Sequence, residues 1–354
     1  MTAEFWKNKK VFITGHTGFK GSWLSLWLQT KGACVVGYAL EPHTDPNLYT
    51  LANVADNMVS LIGDIRDIDH LANAMSEHRP EIVFHLAAQA LVRLSYEKPV
   101  DTYATNLMGT VNVLEAIRHT SSVRAAVMIT SDKCYENREW WWGYREIDAM
   151  GGQDPYSSSK GCAELIIAAF RRSFFEKGHT AAIASTRAGN VVGGGDWAED
   201  RLIPDIVTAF MEKQSVVIRS PLATRPWQHV LEPLNGYLML ARQLRLAGSS
   251  FSGAWNFGPD EKDSMPVEWI VDNMSTLWGP DAKWHKDCGE QPHEATYLKL
   301  DCSKAKHLLG WQPHLNIQTT LEWIVEWYRA YQNHENMNRV TTQQIAQFED
   351  LAQS

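Results

Sequence analysis

Three glycines, each separated by two residues, lie near the start of the chain between a short apolar segment and a helical one. Lys10 to Thr14 (KVFIT) has the pattern of a buried parallel strand, and SWLSLWLQTKG after the glycines has the pattern of a helix. In such a unit a tight turn requires the first glycine, close approach of backbone to a pyrophosphate requires the second, and close packing of helix on strand requires the third. This junction limits the possible folds more than any other feature, because it is typical of the first unit of a dinucleotide-binding sheet.

The turn is also suited to binding phosphate. The free N–H groups and the positive dipole end of a helix N-terminus attract anions. A glycine-rich turn without a ligand is the alternative. The residues predicted to lie against a pyrophosphate are Gly15, His16, Thr17, Gly18, Phe19, Lys20 and Gly21.

Apolar segments of strand length recur along the chain, and helical segments separate them. The predicted strands after the first are Cys34 to Leu40, Met58 to Ile62, Glu81 to Leu86, Ala125 to Thr130, His179 to Thr186, Ser215 to Ser220 and Ala254 to Gly258. Helices are predicted at Pro99 to His119, Pro233 to Leu246 and Pro266 to Trp278, with a polar surface helix from about Asn333. This alternation predicts an α/β fold, a Rossmann-type doubly wound parallel sheet.

Residues at the ends of the predicted strands are candidates for ligand contacts, because ligands bind outside the carboxyl ends of parallel strands. Asp64 could accept a hydrogen bond from an adenine amino group, and Asn106 could brace the backbone of the site. A turn residue and a buried structural amide, respectively, are equally good interpretations. The predicted cofactor contacts beyond the glycine turn are Asp64, Ile65, Leu86, Ala87, Ala88, Asn106 and Thr130.

The choice between the two nicotinamide cofactors depends on the end of the second strand. An acid there would bind the adenosine ribose, and an arginine would accommodate a 2′-phosphate. Glu41 lies slightly late for the first role, and no arginine follows in the next loop. The sequence therefore favours NAD over NADP.

Tyr156 and Lys160 lie four residues apart at the start of a predicted helix (YSSSKGCAELIIAAF). Residues at that spacing share one helical face. An ammonium and an oxidised nicotinamide nearby would favour the phenolate, which could then take a proton from an alcohol. A packed tyrosine beside a solvated lysine is the alternative, since this spacing is common by chance. Ser131 and Asp132 follow the fifth strand, where turn formation or helix capping is the alternative to chemistry.

Composition excludes several classes of function. The net charge of -8 gives no reason to expect nucleic acid or an anionic membrane as a partner. The sequence has no apolar run of bilayer length and no apolar core of a signal peptide near its N-terminus. Five cysteines without metal spacing suit reduced thiols, so a cytoplasmic location and no metal site are expected.

GHTGFKG after the first strand, HLAAQ after the fourth, TSDK after the fifth and YSSSK at the next helix together resemble the extended short-chain dehydrogenase/reductase family. An acid directly after the serine of the fifth strand is similar to the nucleotide-sugar 4,6-dehydratases within that family. The resemblance implies NAD as cofactor, with Tyr156 as the base for sugar oxidation and Lys160 as its electrostatic helper and ribose ligand. It further implies that Ser131 contacts the sugar 4-hydroxyl and that Asp132 assists loss of water.

Lys133 departs from the family pattern, because most of these dehydratases have glutamate at that position. The resemblance gives this position the removal of the C5 proton, which a lysine could perform only as a neutral amine. Lys160, an oxidised nicotinamide and burial would lower the pKa of a lysine here, whereas Asp132 would raise it. Lys133 could instead stay charged and stabilise the enolate while another group removes the proton.

The second half of the chain carries the substrate contacts that the resemblance implies. Arg225 is the best candidate to clamp a diphosphate, because a guanidinium presents two donors in a fork; a surface ion pair is the alternative. The family's usual arginine near residue 297 is absent here. The predicted substrate-binding residues are Gln89, Asn190, Arg201, Arg225 and Tyr297.

The resemblance also implies two interleaved domains and an assembly. Residues 1–190, completed by about 230–258 and 300–312, form the predicted NAD-binding domain. Residues 191–229 and 259–299 with 313–354 form a smaller C-terminal substrate-binding domain. The implied substrate is a nucleotide sugar, CDP-D-glucose, with dTDP-glucose or GDP-mannose as alternatives, and the implied assembly is a homodimer. A nucleotide-sugar 4-epimerase and a non-catalytic NAD-binding sensor are the rival functions.

Overall fold

The protein was studied as a computed structural model that describes residues 3–178, 180–287 and 297–353. The strands are β1 Lys10–Thr14, β2 Cys34–Ala39, β3 Val59–Ile62, β4 Ile82–His85, β5 Ala125–Ile129, β6 Ala182–Arg187, β7 Val191–Val192, β8 Ser215–Ile218, β9 Thr224–Pro226, β10 Gln228–His229, β11 Gly253–Asn256, β12 Ser264–Pro266 and β13 Lys283–Lys286. The helices are α1 Ala3–Trp6, α2 Phe19–Thr30, α3 Leu48–Leu51, α4 Ile68–His78, α5 Val92–Glu97, α6 Pro99–Tyr103, α7 Gly109–His119, α8 Pro155–Phe170, α9 Leu202–Met211, α10 Leu231–Ala247, α11 Val267–Trp278, α12 Ile317–Gln332 and α13 Met337–Gln353.

Within the described residues, seven strands form one parallel sheet in the order β11-β6-β5-β4-β1-β2-β3. The strand order reverses between β1 and β4, where the chain crosses from one half of the sheet to the other. Ligands bind at such a switch point in doubly wound sheets. The predicted α/β fold with a doubly wound parallel sheet is confirmed.

Both faces of the sheet are covered, which explains why its strands are apolar runs without a polar face. In β1, Val11 and Ile13 belong to one buried cluster and Phe12 to another. The second cluster lies under α4, α7 and α8, and it includes Val113, Ile117 and Ile167. The side chains of each strand therefore alternate between two cores.

The predicted strands and helices agree with the structure to within a few residues at each end. The C-terminal helix begins at Met337 instead of about Asn333, and the sixth strand begins at Ala182 instead of His179; His179 itself lies outside the described residues. The helix predicted at Pro99 to His119 contains a π-helical turn at Ala104–Met108. Such turns are frequent at functional sites, and this one includes Asn106.

Short strands of the second half form three small pairs: β7 with β10, β8 with β13, and β9 with β12. The C-terminal helix, predicted to lie on the surface, packs one face on α2 instead. Phe348 is fully buried in edge-to-face contact with Trp27, and Trp27 Nε1 donates to Glu349 Oε1 at 2.5 Å. Among the described residues, no helix is both long and apolar enough to cross a bilayer.

Candidate active site

The three glycines of the first turn differ in what a side chain at each position would meet. Gly15 has a φ of +80°, and a Cβ there would lie 2.7 Å from the Ala87 backbone nitrogen. A Cβ on Gly21 would lie 2.0 Å from the Gly15 carbonyl oxygen. A Cβ on Gly18 would meet nothing nearer than 3.5 Å, and the φ of Gly18, -80°, is one that any residue can adopt. The protein itself therefore requires Gly15 and Gly21, whereas Gly18 leaves space in front of the turn.

That space lies at the N-terminus of α2, where Gly18 is the capping residue and no side chain caps the helix. Uncapped N–H groups of a first helical turn bind phosphate oxygens. Lys20 lies in the same turn, and burial lowers the pKa of its amine to about 8, as do the charges of Arg201 and Lys160. The turn has the free donors and the room that a dinucleotide pyrophosphate requires.

A short helical turn, Asp132–Cys134, follows β5, and Ser131 is its capping residue. Ser131 Oγ donates to Asp132 Oδ1 at 3.0 Å and accepts from the Lys133 backbone N–H at 3.2 Å. Asp132 is 2% exposed, and its Oδ2 has no hydrogen-bond partner among the described residues. Burial raises the pKa of Asp132, opposed by Lys133 and Ser131. A carboxyl group with a raised pKa keeps its proton to a higher pH than an exposed aspartate does.

Lys133 differs from its neighbours because its side chain is exposed. The burial considered for this residue in the sequence analysis is absent from the structure.

Helix α8, which carries Tyr156 and Lys160, begins with a side-chain cap at Asp154. Asp154 accepts from the Ser157 backbone N–H at 2.8 Å and from Ser157 Oγ at 2.5 Å, and Pro155 is the first helical residue. Tyr156 and Lys160 are both buried, at 8% and 6% exposure.

The electrostatics of this pair follow from that burial. Burial raises the pKa of Tyr156 to about 12, and the hydrogen bond with the Ser131 side chain opposes this rise. Burial lowers the pKa of Lys160 to about 8. The structure therefore places Tyr156 beside Ser131 and Asp132, with Lys160 one turn further along the same helix.

Asn106 connects two parts of the site. Its Oδ1 accepts from the Gln89 backbone N–H at 2.8 Å, and its Nδ2 donates to the Gln89 carbonyl at 3.0 Å and to Ser159 Oγ at 2.9 Å. It thereby ties the segment after β4 to the middle of the Tyr156–Lys160 turn. The Gln89 side chain is bonded within the protein, to Leu91 and Thr102.

Asp64 and Ile65 follow β3 as predicted. The Asp64 carboxylate accepts from the backbone N–H and guanidinium of Arg66, and these hydrogen bonds lower the pKa of Asp64. Ile65 is buried beside Gly109, at which a Cβ would lie 2.4 Å from the Ile65 side chain. Leu86 and Ala87 are partly buried against the two cores, next to the partly buried Ala88.

The remaining predicted residues come from the second half of the chain. Arg201 precedes α9 and donates to Asp196 Oδ2 at 3.0 Å, and its charge acts on Tyr156. Arg225 is partly buried in β9, and its charge acts on Asp132. Both guanidinium groups therefore lie within electrostatic reach of the site.

Asn190 and Tyr297 each contact another segment of the chain. Asn190 has a φ of +47°, and its carbonyl accepts from the Gln228 N–H at 3.2 Å. The Tyr297 ring centroid lies 5.6 Å from that of Trp141, and the Tyr297 carbonyl accepts from Asn137 Nδ2.

Two site residues have no signal in the sequence analysis. A Cβ on Gly189 would lie 1.7 Å from Asp132 Oδ2, so only glycine lets β6 end beside this carboxyl group. Asp196 holds Arg201 through the ion pair described above.

The glycine turn at the switch point of the sheet can bind a dinucleotide, and the Tyr156–Lys160 pair lies on the helix that follows Ser131 and Asp132. This combination defines an extended short-chain dehydrogenase/reductase. Within that class the chain belongs to the GDP-mannose 4,6 dehydratase family, whose profile matches residues 12–324. The resemblance inferred from the four sequence motifs is confirmed.

Individual relatives agree with this assignment. The CDP-glucose 4,6-dehydratase of Salmonella typhimurium is 57% identical over 349 residues, which cover 98% of this chain and 97% of that protein. Two solved structures share the fold at 21% identity. One is a UDP-glucose 4-epimerase of Stenotrophomonas maltophila with NAD and formylated UDP-arabinopyranose (TM-score 0.81, covering 92% of this chain and 100% of that one). The other is a dTDP-glucose 4,6-dehydratase of Bacillus anthracis with NAD (TM-score 0.76, covering 93% and 99%).

Proposed function

We propose that the protein is an NAD-dependent hydro-lyase that converts CDP-D-glucose to CDP-4-keto-6-deoxy-D-glucose and water. The observation that carries the proposal is the buried Asp132 carboxyl group, with its raised pKa and unpartnered oxygen, beside the buried Tyr156–Lys160 pair. An epimerase requires the oxidation pair but no acid for elimination. The 57% identity to a CDP-glucose 4,6-dehydratase supports the same reaction and substrate.

The residues present fit NAD, because Gly18 leaves open the space in front of an uncapped helix end. Bound NAD would supply, in its oxidised form, the acceptor for the hydride from C4 of the sugar and, in its reduced form, the donor that returns it to C6. The protein would hold it through residues 15–21, through Asp64 and Ile65, and through the backbone of residues 86–88, with Asn106 and Thr130 bracing the strand ends. Lys160 would contact its ribose.

Oxidation at C4 requires a base at the sugar hydroxyl. Tyr156 takes that proton, and the Lys160 ammonium one helical turn away stabilises the phenolate that accepts it. Ser131 binds the same hydroxyl and already interacts with Tyr156. The resulting 4-ketone makes the C5 proton acidic.

Elimination requires a proton at the leaving C6 hydroxyl. Asp132 donates it, since burial keeps this carboxyl group protonated at higher pH than an exposed aspartate. Lys133 takes part from the exposed side of the same turn. It acts either as the base that removes the C5 proton and returns it when hydride enters C6, or as the charge that stabilises the enolate while another group removes and returns that proton.

The substrate diphosphate carries two negative charges that need cationic partners. Arg225 and Arg201 supply them, with Asn190, Gln89 and Tyr297 as the further residues assigned to substrate binding. The chain is divided between the two ligands. Residues 1–190, with about 230–258 and 300–312, bind NAD, and the rest of the chain binds the sugar nucleotide. Free thiols at Cys34, Cys134, Cys162 and Cys302 suit the cytoplasm.

The test is a panel of nucleotide sugars incubated with the purified protein. CDP-glucose should lose water and give the alkali-dependent absorbance of a 4-keto-6-deoxy sugar without added reductant. dTDP-glucose, UDP-glucose and GDP-mannose should react at least about tenfold more slowly, the factor expected from about 1.4 kcal/mol of lost recognition. Formation of a 4-epimer without loss of water, or no reaction with any sugar, would refute the proposal.

Gly18→Ala should weaken NAD binding and leave the fold intact. The added methyl group meets no protein atom within 3.4 Å, but it occupies the space assigned to the pyrophosphate. Loss of one hydrogen bond to a charged group costs about 1.5–3 kcal/mol, so affinity should fall about 10- to 100-fold. NAD titration by fluorescence checks this result.

Gly21→Ala is the matched control for that variant. The methyl group of Gly21→Ala would lie 2.0 Å from the Gly15 carbonyl oxygen. This variant should therefore lower the melting temperature, which Gly18→Ala should leave unchanged. Equal melting temperatures and equal NAD affinities in the two variants would contradict the assignment.

Leu165→Glu should convert the proposed homodimer to monomers. Exposed apolar side chains lie on helices α5, α6 and α8, which pack against one another, and on the π-helical turn after α6: Tyr96 at 63%, Val100 at 78%, Met108 at 51% and Leu165 at 60%. A carboxylate at such an interface would be desolvated without a partner. Sedimentation velocity should show the halved mass, whereas Leu246→Glu, at an equally exposed leucine on α10, should leave it unchanged. A variant Leu165→Glu that stays dimeric would place the interface elsewhere.

A further inference from the structure

A buried ion pair below the site has none of the roles assigned above. Glu164 lies one helical turn beyond Lys160 on α8, and its Oε2 is 2.7 Å from Arg187 Nη2 at the end of β6. Both side chains are only 4% exposed. Burial of two charges is costly, and such a pair is weak evidence for stability. The pair is therefore better explained by the segments that it holds in place.

The pair is bonded to both ends of the turn that carries Ser131 and Asp132. Before the turn, Thr130 Oγ1 donates to Glu164 Oε1 at 2.5 Å. After the turn, Tyr135 OH accepts from Arg187 Nη1 at 2.7 Å, and the Arg187 guanidinium lies 4.9 Å from the Tyr135 ring centroid. One carboxylate and one guanidinium thus fix the two residues that flank the turn.

The same pair also fixes the strand end that contacts Asp132. Arg187 is the last residue of β6, two residues before Gly189. The Gly189 α-carbon lies so near the Asp132 carboxyl group that a Cβ there would clash with it. A change in the position of Arg187 would therefore move the backbone against which Asp132 rests.

Helix α8, which carries Tyr156 and Lys160, and the Ser131–Asp132 turn are separate segments that must keep one relative position. A misplacement of about 1 Å can lower turnover about 10²-fold. We propose that the Glu164–Arg187 pair is a positioning element that sets the distance between these segments, acting on the turn through Thr130. The kinetic part of its test rests on the proposed dehydratase function.

Thr130→Val tests the inference, with two companion variants. Valine keeps the shape of threonine but removes the hydroxyl bonded to Glu164. We expect kcat with CDP-glucose to fall about 10- to 100-fold, with KM changed less than about threefold, because misplacement affects chemistry more than binding. Thr130→Ser, which retains the hydroxyl, should recover most of the lost kcat.

Ser185→Ala is the matched control. Ser185 Oγ donates to Glu164 Oε2 at 2.8 Å, so this variant removes a hydrogen bond from the same carboxylate on the side away from the turn. It should lower the melting temperature about as much as Thr130→Val and leave kcat close to the wild-type value. Thr130→Val with wild-type kcat, or Ser185→Ala with an equal loss of kcat, would show that the pair is only structural.

A second measurement needs no substrate. Crystal structures of Thr130→Val and the wild-type protein in one crystal form should show the Ser131–Asp132 turn displaced from α8, and an unmoved turn would overturn the inference. If the wild-type protein turns over no CDP-glucose, the proposed function fails by itself, and the crystallographic comparison still decides the role of the pair.

Discussion

Tyr156→Phe should lower kcat with CDP-glucose by about 10³-fold, within the range of about 10²–10⁴ that one acid–base group contributes. The variant keeps the ring and loses the hydroxyl that interacts with Ser131 and that is proposed to take the sugar proton. Since no other group described above can take the 4-hydroxyl proton, oxidation itself should fail. Initial rates and the absorbance of NADH formed in a single turnover would measure this, and both signals should be nearly lost.

Tyr103→Phe is the control for the loss of a phenol near the same helix. Tyr103 OH is 2.5 Å from Ser158 Oγ, so this variant also removes a hydrogen bond to α8, but at a residue without a chemical role. Its kcat should stay within about threefold of the wild-type value, because small surface or packing changes cost about 0.5 kcal/mol. Turnover by Tyr156→Phe at a rate similar to that of Tyr103→Phe would remove Tyr156 from the mechanism.

The parts of the candidate site that the sequence could predict are those encoded locally. The Gly15-x-x-Gly18-x-x-Gly21 spacing concerns one turn, and the Tyr156–Lys160 spacing concerns one helical face. In each case the physical requirement acts between residues that are near in the chain. The order of strands and helices follows for the same reason, because apolar runs and helical segments are local patterns.

Other parts depend on contacts between distant segments, and no local pattern indicates them. Gly189 is required because it meets Asp132 across 57 residues of chain, and Glu164 lies below the site because Thr130 and Arg187 approach it from two strands. The C-terminal helix was predicted to lie on the surface because its composition is polar. It is partly buried because a few apolar side chains, Phe348 among them, face α2.

Asp132 is the residue that distinguishes a dehydratase from an epimerase, because only elimination of water requires its proton. Asp132→Asn should abolish measurable release of water, by about 10²–10⁴-fold, because an amide cannot donate the proton that the C6 hydroxyl needs in order to leave. Asparagine fits the same space, which matters because the Gly189 backbone closes over the carboxyl group. The oxidation pair is untouched, so the sugar should still be oxidised at C4, and NADH absorbance should appear and persist.

Glu232→Gln is the matched control for that variant. Burial raises the pKa of Glu232 to about 8, and its Oε2 also has no hydrogen-bond partner among the described residues, but it anchors the backbone of His314 and Leu315 away from the site. Its replacement should change the melting temperature and leave water release per folded enzyme within about threefold, as for a change outside the catalytic groups. Asp132→Asn that releases water at the wild-type rate would show that another acid serves C6. Loss of the NADH signal together with water release would instead place Asp132 in the oxidation step.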